Sequence, residues 1–332
     1  MRYGYKASAE QFGPGQLLDY AVLAEGLGFD SVMVSDHFHP WRRIGGHAPF
    51  SLAWLGAAGQ RTSRIVLGTS VLTPTFRIHP SVVAQAFATL DALTPGRLIL
   101  GIGTGEAMNE VAATGVEWPP FAERLGRLQE AVELIRLLWS QDRVSYDGKY
   151  FQTRDATVYD RPEPPVPIYI AGGGPKMTRF AGESADGFIC TSGKGIELYE
   201  ESLLPALEEG LAASGRRTAD VDRMIEIKVS FDANIERAKQ DTRFWAPLSL
   251  TQAQKAGSSV DEMVALADEL PLEKVTGRWI VSDDPQVVVE AIAPYIEGGF
   301  THLVFHGPGD DQPRFMSAFA EQVLPRLRAT YG

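Results

Sequence analysis

Short, almost continuously apolar runs alternate with amphipathic stretches from one end of this 332-residue chain to the other, and that alternation restricts the fold more than any other feature. The runs fall at 2–7 (RYGYKA), 31–35 (SVMVS), 64–71 (RIVLGTSV), 97–102 (RLILGI), 167–171 (PIYIA), 187–191 (GFICT), 225–231 (IEIKVSF) and 302–306 (HLVFH). Parallel strands covered by helices on both faces read this way, because neither face meets water. The stretches between them carry the helical period: Leu17, Ala21 and Ala24 share one face, as do Leu125, Leu128, Val132, Ile135 and Leu138, while Phe315, Phe319 and Val323 mark a last helix. Asp284-Pro285 supplies a cap followed by proline at the first helical position. Eight strands, each followed by a helix, predict a (β/α)8 TIM barrel over an open doubly wound sheet. Two segments exceed ordinary connections: 142–166, after the fourth helix, and 232–277, after the seventh strand. The first holds Asp147-Gly148 between alternating apolar residues, a hairpin signal. The second holds Arg243-Phe244-Trp245 and a capping box at Ser259 and Glu262. Both read as insertions on a single barrel domain covering 1–332.

The formal net charge of -11 argues against nucleic acid, whose phosphates need a basic footprint. An anionic ligand would need a local cationic cluster on this acidic background. The start, MRYGYKASAEQFGPG, lacks the apolar core of a signal peptide, and no run approaches the roughly eighteen apolar residues of a membrane helix. A soluble cytoplasmic protein is expected. Cys190 is the only cysteine, so no intrachain disulfide forms. Metal binding is a poor reading: the six histidines show no ligand spacing, and one cysteine cannot build a thiolate site. There is no Walker motif and no GxSxG elbow. Gly101-Ile102-Gly103-Thr104-Gly105 lacks the final glycine and the following acidic strand end of a dinucleotide fingerprint.

Barrel active sites sit at the C-terminal ends of the strands, so the residues after each run are the candidates. They are Ser8 and Glu10; Asp36 and His37 with Trp41 behind; Ser70, Val71 and Thr73; Glu106 with Asn109 a turn later; Ala171-Gly172-Gly173-Gly174-Pro175; and Thr191 with Lys194. Each has a structural alternative. His37 alone could be a hydrogen-bonded histidine without chemistry, Glu106 a first-turn acid favoured by a helix dipole, and Trp41 a rim aromatic. The glycine turn could be a tight crossing, or a place where backbone N–H groups approach a phosphate. A base candidate, an acid candidate and an anion loop at one end of one barrel carry more weight together than singly.

Five segments make the resemblance specific: VSDHFHPWRRIGGHAPFSL, LGTSVLTPTFR, GIGTGEAMNEVA, YIAGGGP and DGFICTSGKG. With DTRFWAPLSL and HLVFHGPGDDQPRF they resemble the coenzyme F420-dependent glucose-6-phosphate dehydrogenases of the luciferase-like family, over nearly the whole chain. The resemblance implies oxidation of a hexose 6-phosphate at its anomeric carbon, with hydride passing to C5 of a deazaflavin. It implies His37 as base, Glu106 as acid, Trp41 steadying developing charge, and Glu10 as a carboxylate near substrate and base. An imidazole suits proton removal near neutral pH, whereas a carboxylic acid needs a raised pKa to donate there. Coenzyme contacts are implied at Asp36, Ser70, Val71, Thr73, Asn109 and Ala171, Gly172, Gly173, Gly174 and Pro175, with a non-proline cis peptide at Ser70-Val71. Thr191, Lys194, Lys255 and Arg278 are implied for the sugar phosphate, which would supply the local positive field that the acidic chain otherwise lacks. A homodimer is implied as well.

One position departs from the pattern. The family commonly has a histidine after the lysine matched by Lys255, and here that residue is Ala256. Losing a bulky donor beside the sugar phosphate predicts weaker discrimination, with fructose or mannose 6-phosphate accepted alongside glucose 6-phosphate. Three other readings compete: an FMN-dependent monooxygenase on the same barrel, an F420-dependent reductase of another substrate, and a non-catalytic binder, since fold alone does not fix function.

Overall fold

The structure, a computed structural model, describes residues 1–255 and 259–332. Nine strands are present among them: β1 Arg2–Ala7, β2 Ser31–Val34, β3 Val66–Thr69, β4 Leu98–Ile102, β5 Ile168–Ala171, β6 Gly187–Thr191, β7 Asp222–Phe231, β8 Ile280–Ser282 and β9 His302–His306. Hydrogen bonding runs in the order β6-β5-β4-β3-β2-β1-β9-β7, and β6 pairs with β7 to close the circle. All these pairings are parallel. The closed eight-stranded TIM barrel matches the sequence expectation, and 302–306 is its eighth strand around the circle. The expectation missed β8, which stands outside the barrel and pairs with the far end of β7 at Val229–Phe231. Only three residues long, it is too short to show a period.

The strands alternate as barrel strands must, one face to the interior and one to the helices. Ile225, Ile227, Leu303, Phe305, Tyr3 and Tyr5 belong to the large outer core under the helices. Met33, Ile99, Tyr169, Ile189, Met224 and Val304 form a compact inner plug. Above that plug, toward the C-terminal ends, the interior turns polar. Lys6, Lys228 and His306 are all buried there. Side chains thus fill the barrel below, and the open space lies at its upper mouth.

Capping chemistry read from the sequence is present. Asp284 accepts from Gln286 N and opens the helix Pro285–Glu297. Ser259 and Glu262 form the capping box of the helix Val260–Asp268. In 142–166, antiparallel bridges join Asp147 to Gln152 and Val144 to Ala156 around the Asp147-Gly148 turn. In 232–277, Trp245, Val260, Met263 and Val275 build a second apolar cluster that also takes in Trp41 and Trp279. That cluster seats the segment over one side of the barrel mouth. No described helix is long and apolar enough to cross a membrane.

Candidate active site

A cleft of about 660 Å³ opens at the C-terminal mouth. It brings together Glu10, Asp36, His37, Trp41, Ser70, Val71, Thr73, Glu106, Asn109, Ala171, Gly172, Gly173, Thr191, Lys194, Lys255 and Arg278. Of the residues singled out from sequence that the structure describes, Ser8, Gly174 and Pro175 stand outside its wall; the last two cap and open the helix Pro175–Ser184.

His37 is the centre of the polar geometry. Its Nδ1 lies 3.1 Å from the carbonyl of His39 and 3.4 Å from Asn109 Nδ2. A carbonyl only accepts, so the nearer contact places the proton on Nδ1 and leaves a lone pair on Nε2. Nε2 faces Glu10 Oε1 at 3.3 Å and Glu106 Oε2 at 3.9 Å. Burial works to raise the Glu10 carboxyl, but His37, Lys6 and the Ser35 hydroxyl together outweigh it and hold it below the ordinary range. The Ser35 hydroxyl donates to Glu10 Oε2 at 2.5 Å. Glu106, by contrast, is half exposed. Trp41 is buried rather than a loose rim residue, with its ring 5.7 Å from that of His37.

Asp36 lines the cleft only through its backbone. Its carboxylate is fully buried and turned away, accepting from Arg77 Nη2 at 2.7 Å and Ser51 N at 3.3 Å. Arg77 also donates through Nε to Glu110 Oε1 at 3.0 Å and through its backbone N to Glu110 Oε2 at 3.2 Å. This buried triad ties the end of β2, the loop after β3 and the helix Ala107–Thr114 into one unit. That helix carries Asn109, and Glu106 is its N-terminal cap position. Asn109 Oδ1 accepts from the backbone N of Phe38 and of His39, both at 2.9 Å, locking the His37 loop to the Glu106 turn.

The residues present suit a flat ring carrying a phosphate. The Ser70-Val71 peptide is cis, and its carbonyl is held by Lys6 Nζ at 2.7 Å. Gly172 and Gly173 line the cleft, which brings backbone without side chains to its wall, where a phosphate can approach.

Three cations also line the cleft, and the Nζ of one, Lys194, lies 3.8 Å from where a Cβ on Gly173 would be. Lys194 follows β6, Lys255 ends the helix Gln252–Lys255, and Arg278 precedes β8. Gly193 makes the approach of two of them possible. Its φ is +82°, and a Cβ there would sit 2.5 Å from the Arg278 carbonyl. Among the described residues none of the three has an ion-pair partner within 4 Å. Burial, then Arg278 and Lys194, push the Lys255 ammonium below its usual range against Glu106; burial does the same to Arg278. Arg278 Nε is also buried without a hydrogen-bond partner. Mutually repelling, underpartnered cations in a cleft are arranged for an anion. Ala256 lies outside the described residues.

The luciferase-like monooxygenase family matches residues 1–302. The chain belongs to that family. It is 60% identical over 329 residues to the F420-dependent glucose-6-phosphate dehydrogenase of Kribbella flavida, covering 99% of this chain and 98% of that one. It is 61% identical over 331 residues to the protein of the same name from Kineococcus radiotolerans, covering 99% and 97%. Among solved structures, an F420-dependent secondary alcohol dehydrogenase in complex with an F420-acetone adduct superposes with a TM-score of 0.92 at 33% identity, covering 98% and 99%. The F420-dependent tetrahydromethanopterin reductase of Methanopyrus kandleri shares the fold, at 23% identity and a TM-score of 0.80.

Proposed function

We propose that this member of the family oxidises a hexose 6-phosphate at the anomeric carbon, with coenzyme F420 as hydride acceptor. The observation that carries the reading is the meeting, in one cleft, of a histidine lone pair between two carboxylates and three cations without carboxylate partners. The names of the relatives at about 60% identity support it. Ser70, Val71, Thr73, Asn109 and the turn from Ala171 to Pro175 would hold the coenzyme, whose deazaflavin supplies the hydride-accepting carbon. Lys194, Lys255 and Arg278 grip the phosphate and Thr191 borders the sugar, which fixes the reacting carbon relative to His37. His37 Nε2 takes the proton of the anomeric hydroxyl, and Glu10 Oε1 at 3.3 Å stabilises the imidazolium that results. Glu106 would give up the one proton that the ring takes up at N1 along with the hydride; 3.9 Å from Nε2 and half exposed, it would be reprotonated from His37 or from water. Trp41, packed beside the imidazole, steadies the charge that develops. The same reading takes the chain as one barrel domain with two insertions, working as a cytoplasmic homodimer, which light scattering after size exclusion checks.

The test mixes purified protein, oxidised F420 and glucose 6-phosphate and follows loss of the deazaflavin's visible absorbance. Bleaching is expected, with kcat reduced at least ~100-fold in His37→Ala and in Glu106→Gln. Lys255→Ala and Arg278→Ala are each expected to raise KM roughly 10- to 150-fold, the worth of a charge-assisted hydrogen bond. Tight FMN binding with oxygen uptake and no bleaching would sink the reading.

A further inference from the structure

Lys228 lies on β7 in the floor of the cleft, and no part of the reaction described above uses it. Its side chain is 3% exposed, yet its ammonium is poorly partnered. Nζ makes one long hydrogen bond, 3.4 Å to the Ser192 carbonyl, and its nearest carboxylate, Glu226 Oε1, is 3.7 Å away. Lys6, in the same floor and almost as buried, shows what full satisfaction looks like. Its Nζ donates to the Ser70 carbonyl and hydroxyl, both at 2.7 Å, and lies 3.2 Å from Glu226 Oε2. An ammonium has three N–H groups, and a buried one needs acceptors for them.

Its neighbours explain why no described residue completes the set. Glu226 faces it from the same strand, Lys6 from β1, Cys190 and Lys194 from β6 and the turn beyond, Arg278 from the segment before β8, and His306 from β9. Glu226 is already shared with Lys6 and with His306 Nδ1 at 3.2 Å. Burial outweighs the pull of Glu226, the nearby cations add to it, and the Lys228 amine is brought down to about 8. Position supplies the rest. β7 and β9 are the strands between β6, which leads to Thr191 and Lys194, and β1, which leads to Glu10. A sugar reaching from the phosphate grip to His37 must cross this part of the floor.

We propose that Lys228 is a further substrate-binding residue, donating from Nζ to a sugar oxygen between the phosphate and the reacting carbon and so setting the hexose in register with His37. This rests on the hexose 6-phosphate reading given above.

Two measurements decide it. In Lys228→Met, which keeps the bulk and loses the charge, kcat/KM for glucose 6-phosphate with F420 should fall at least tenfold, mainly through KM. A smaller change, or one confined to kcat, overturns the proposal. The second measurement needs neither a variant nor turnover. Trp41 and Trp245 line the cleft, so fluorescence quenching gives Kd for glucose 6-phosphate and for inorganic phosphate between pH 6.5 and 9.5. Affinity for the sugar phosphate should weaken above about pH 8 more steeply than affinity for inorganic phosphate, because Lys228 meets the sugar. Parallel curves overturn the proposal, and this arm decides the matter should Lys228→Met not fold. Wild-type protein that never bleaches the coenzyme removes the functional reading; wild-type protein that bleaches it, matched by Lys228→Met, removes only the role of Lys228.

Discussion

Replacing Arg77 with methionine should be among the most damaging single changes outside the reacting groups. Arg77 is 10% exposed and sits between Asp36, fully buried, and Glu110, 1% exposed. Methionine keeps the stem and removes the guanidinium, leaving two carboxylates in the interior with a single buried cation gone from between them. Breaking a buried pair in this way typically costs about 3–5 kcal/mol, a large share of the ~5–15 kcal/mol that holds a domain together. The cost must depend on pH. Burial pushes Glu110 up, Arg77 pulls it down, and burial already wins in the native protein. Without Arg77, both burial and Asp36 act upward. The folded-state pKa of Glu110 then stands far above its unfolded value of roughly 4.3. The penalty therefore grows as pH rises from the unfolded pKa toward the raised folded one, and is already large at neutral pH. It recedes as pH falls toward the ordinary carboxylate range, where the proton is bound in both states. Urea denaturation of wild type and Arg77→Met at pH 7 and pH 5 measures both quantities. A loss below about 1 kcal/mol at pH 7, or one that does not shrink at pH 5, would refute the assignment of the triad as a buried electrostatic brace.

Two further outcomes are expected. With alanine at 256, kcat/KM for glucose, fructose and mannose 6-phosphate should lie close together; a preference for glucose 6-phosphate above about a thousandfold, roughly 4 kcal/mol, contradicts this. At the opposite end of the barrel, burial works to raise Asp222, but His302, Arg2 and Thr301 overcome it and hold it well below its ordinary range. A depressed carboxylate stabilises the fold above its unfolded pKa and loses that contribution as pH falls, so acid melts of wild type below about pH 4 should show a stability loss that Asp222→Asn lacks. Equal acid sensitivity in the two proteins rules the network out as its source.

Much of this architecture was legible because barrel strands announce themselves by continuous apolarity and barrel sites by position at strand ends. Glu10, His37, Glu106 and Lys194 were found by reading past each run, and the structure gathers them into one cleft. The charged floor was missed for a related reason. Lys6, Glu226, Lys228 and His306 sit inside runs taken as apolar. Their signal was available in the two-residue spacing of Glu226 and Lys228, which puts both on the same face of a strand. Arg77 and Glu110 carried no such signal: 33 residues separate them, and only folding shows that they meet. Asp36 illustrates a different gap. The resemblance implied a coenzyme contact there without saying through which atoms, and its side-chain oxygens are taken up by Arg77 and Ser51.

The extra strand β8 has a consequence for how such a protein can diversify. Because β8 lies alongside the last residues of β7, the long excursion at 232–277 departs from and returns to neighbouring rods of one sheet. The parallel pairing of Val229 with Ile280 and of Phe231 with Ser282 fixes where it leaves and where it returns, whatever happens between them. Residues can be gained or lost in that excursion without loosening the closed circle beneath it or the wall at Ser70-Val71. Selection can thus resize the side of the mouth beside Lys255 and Arg278 by trial while the side at Ser70-Val71 is inherited intact.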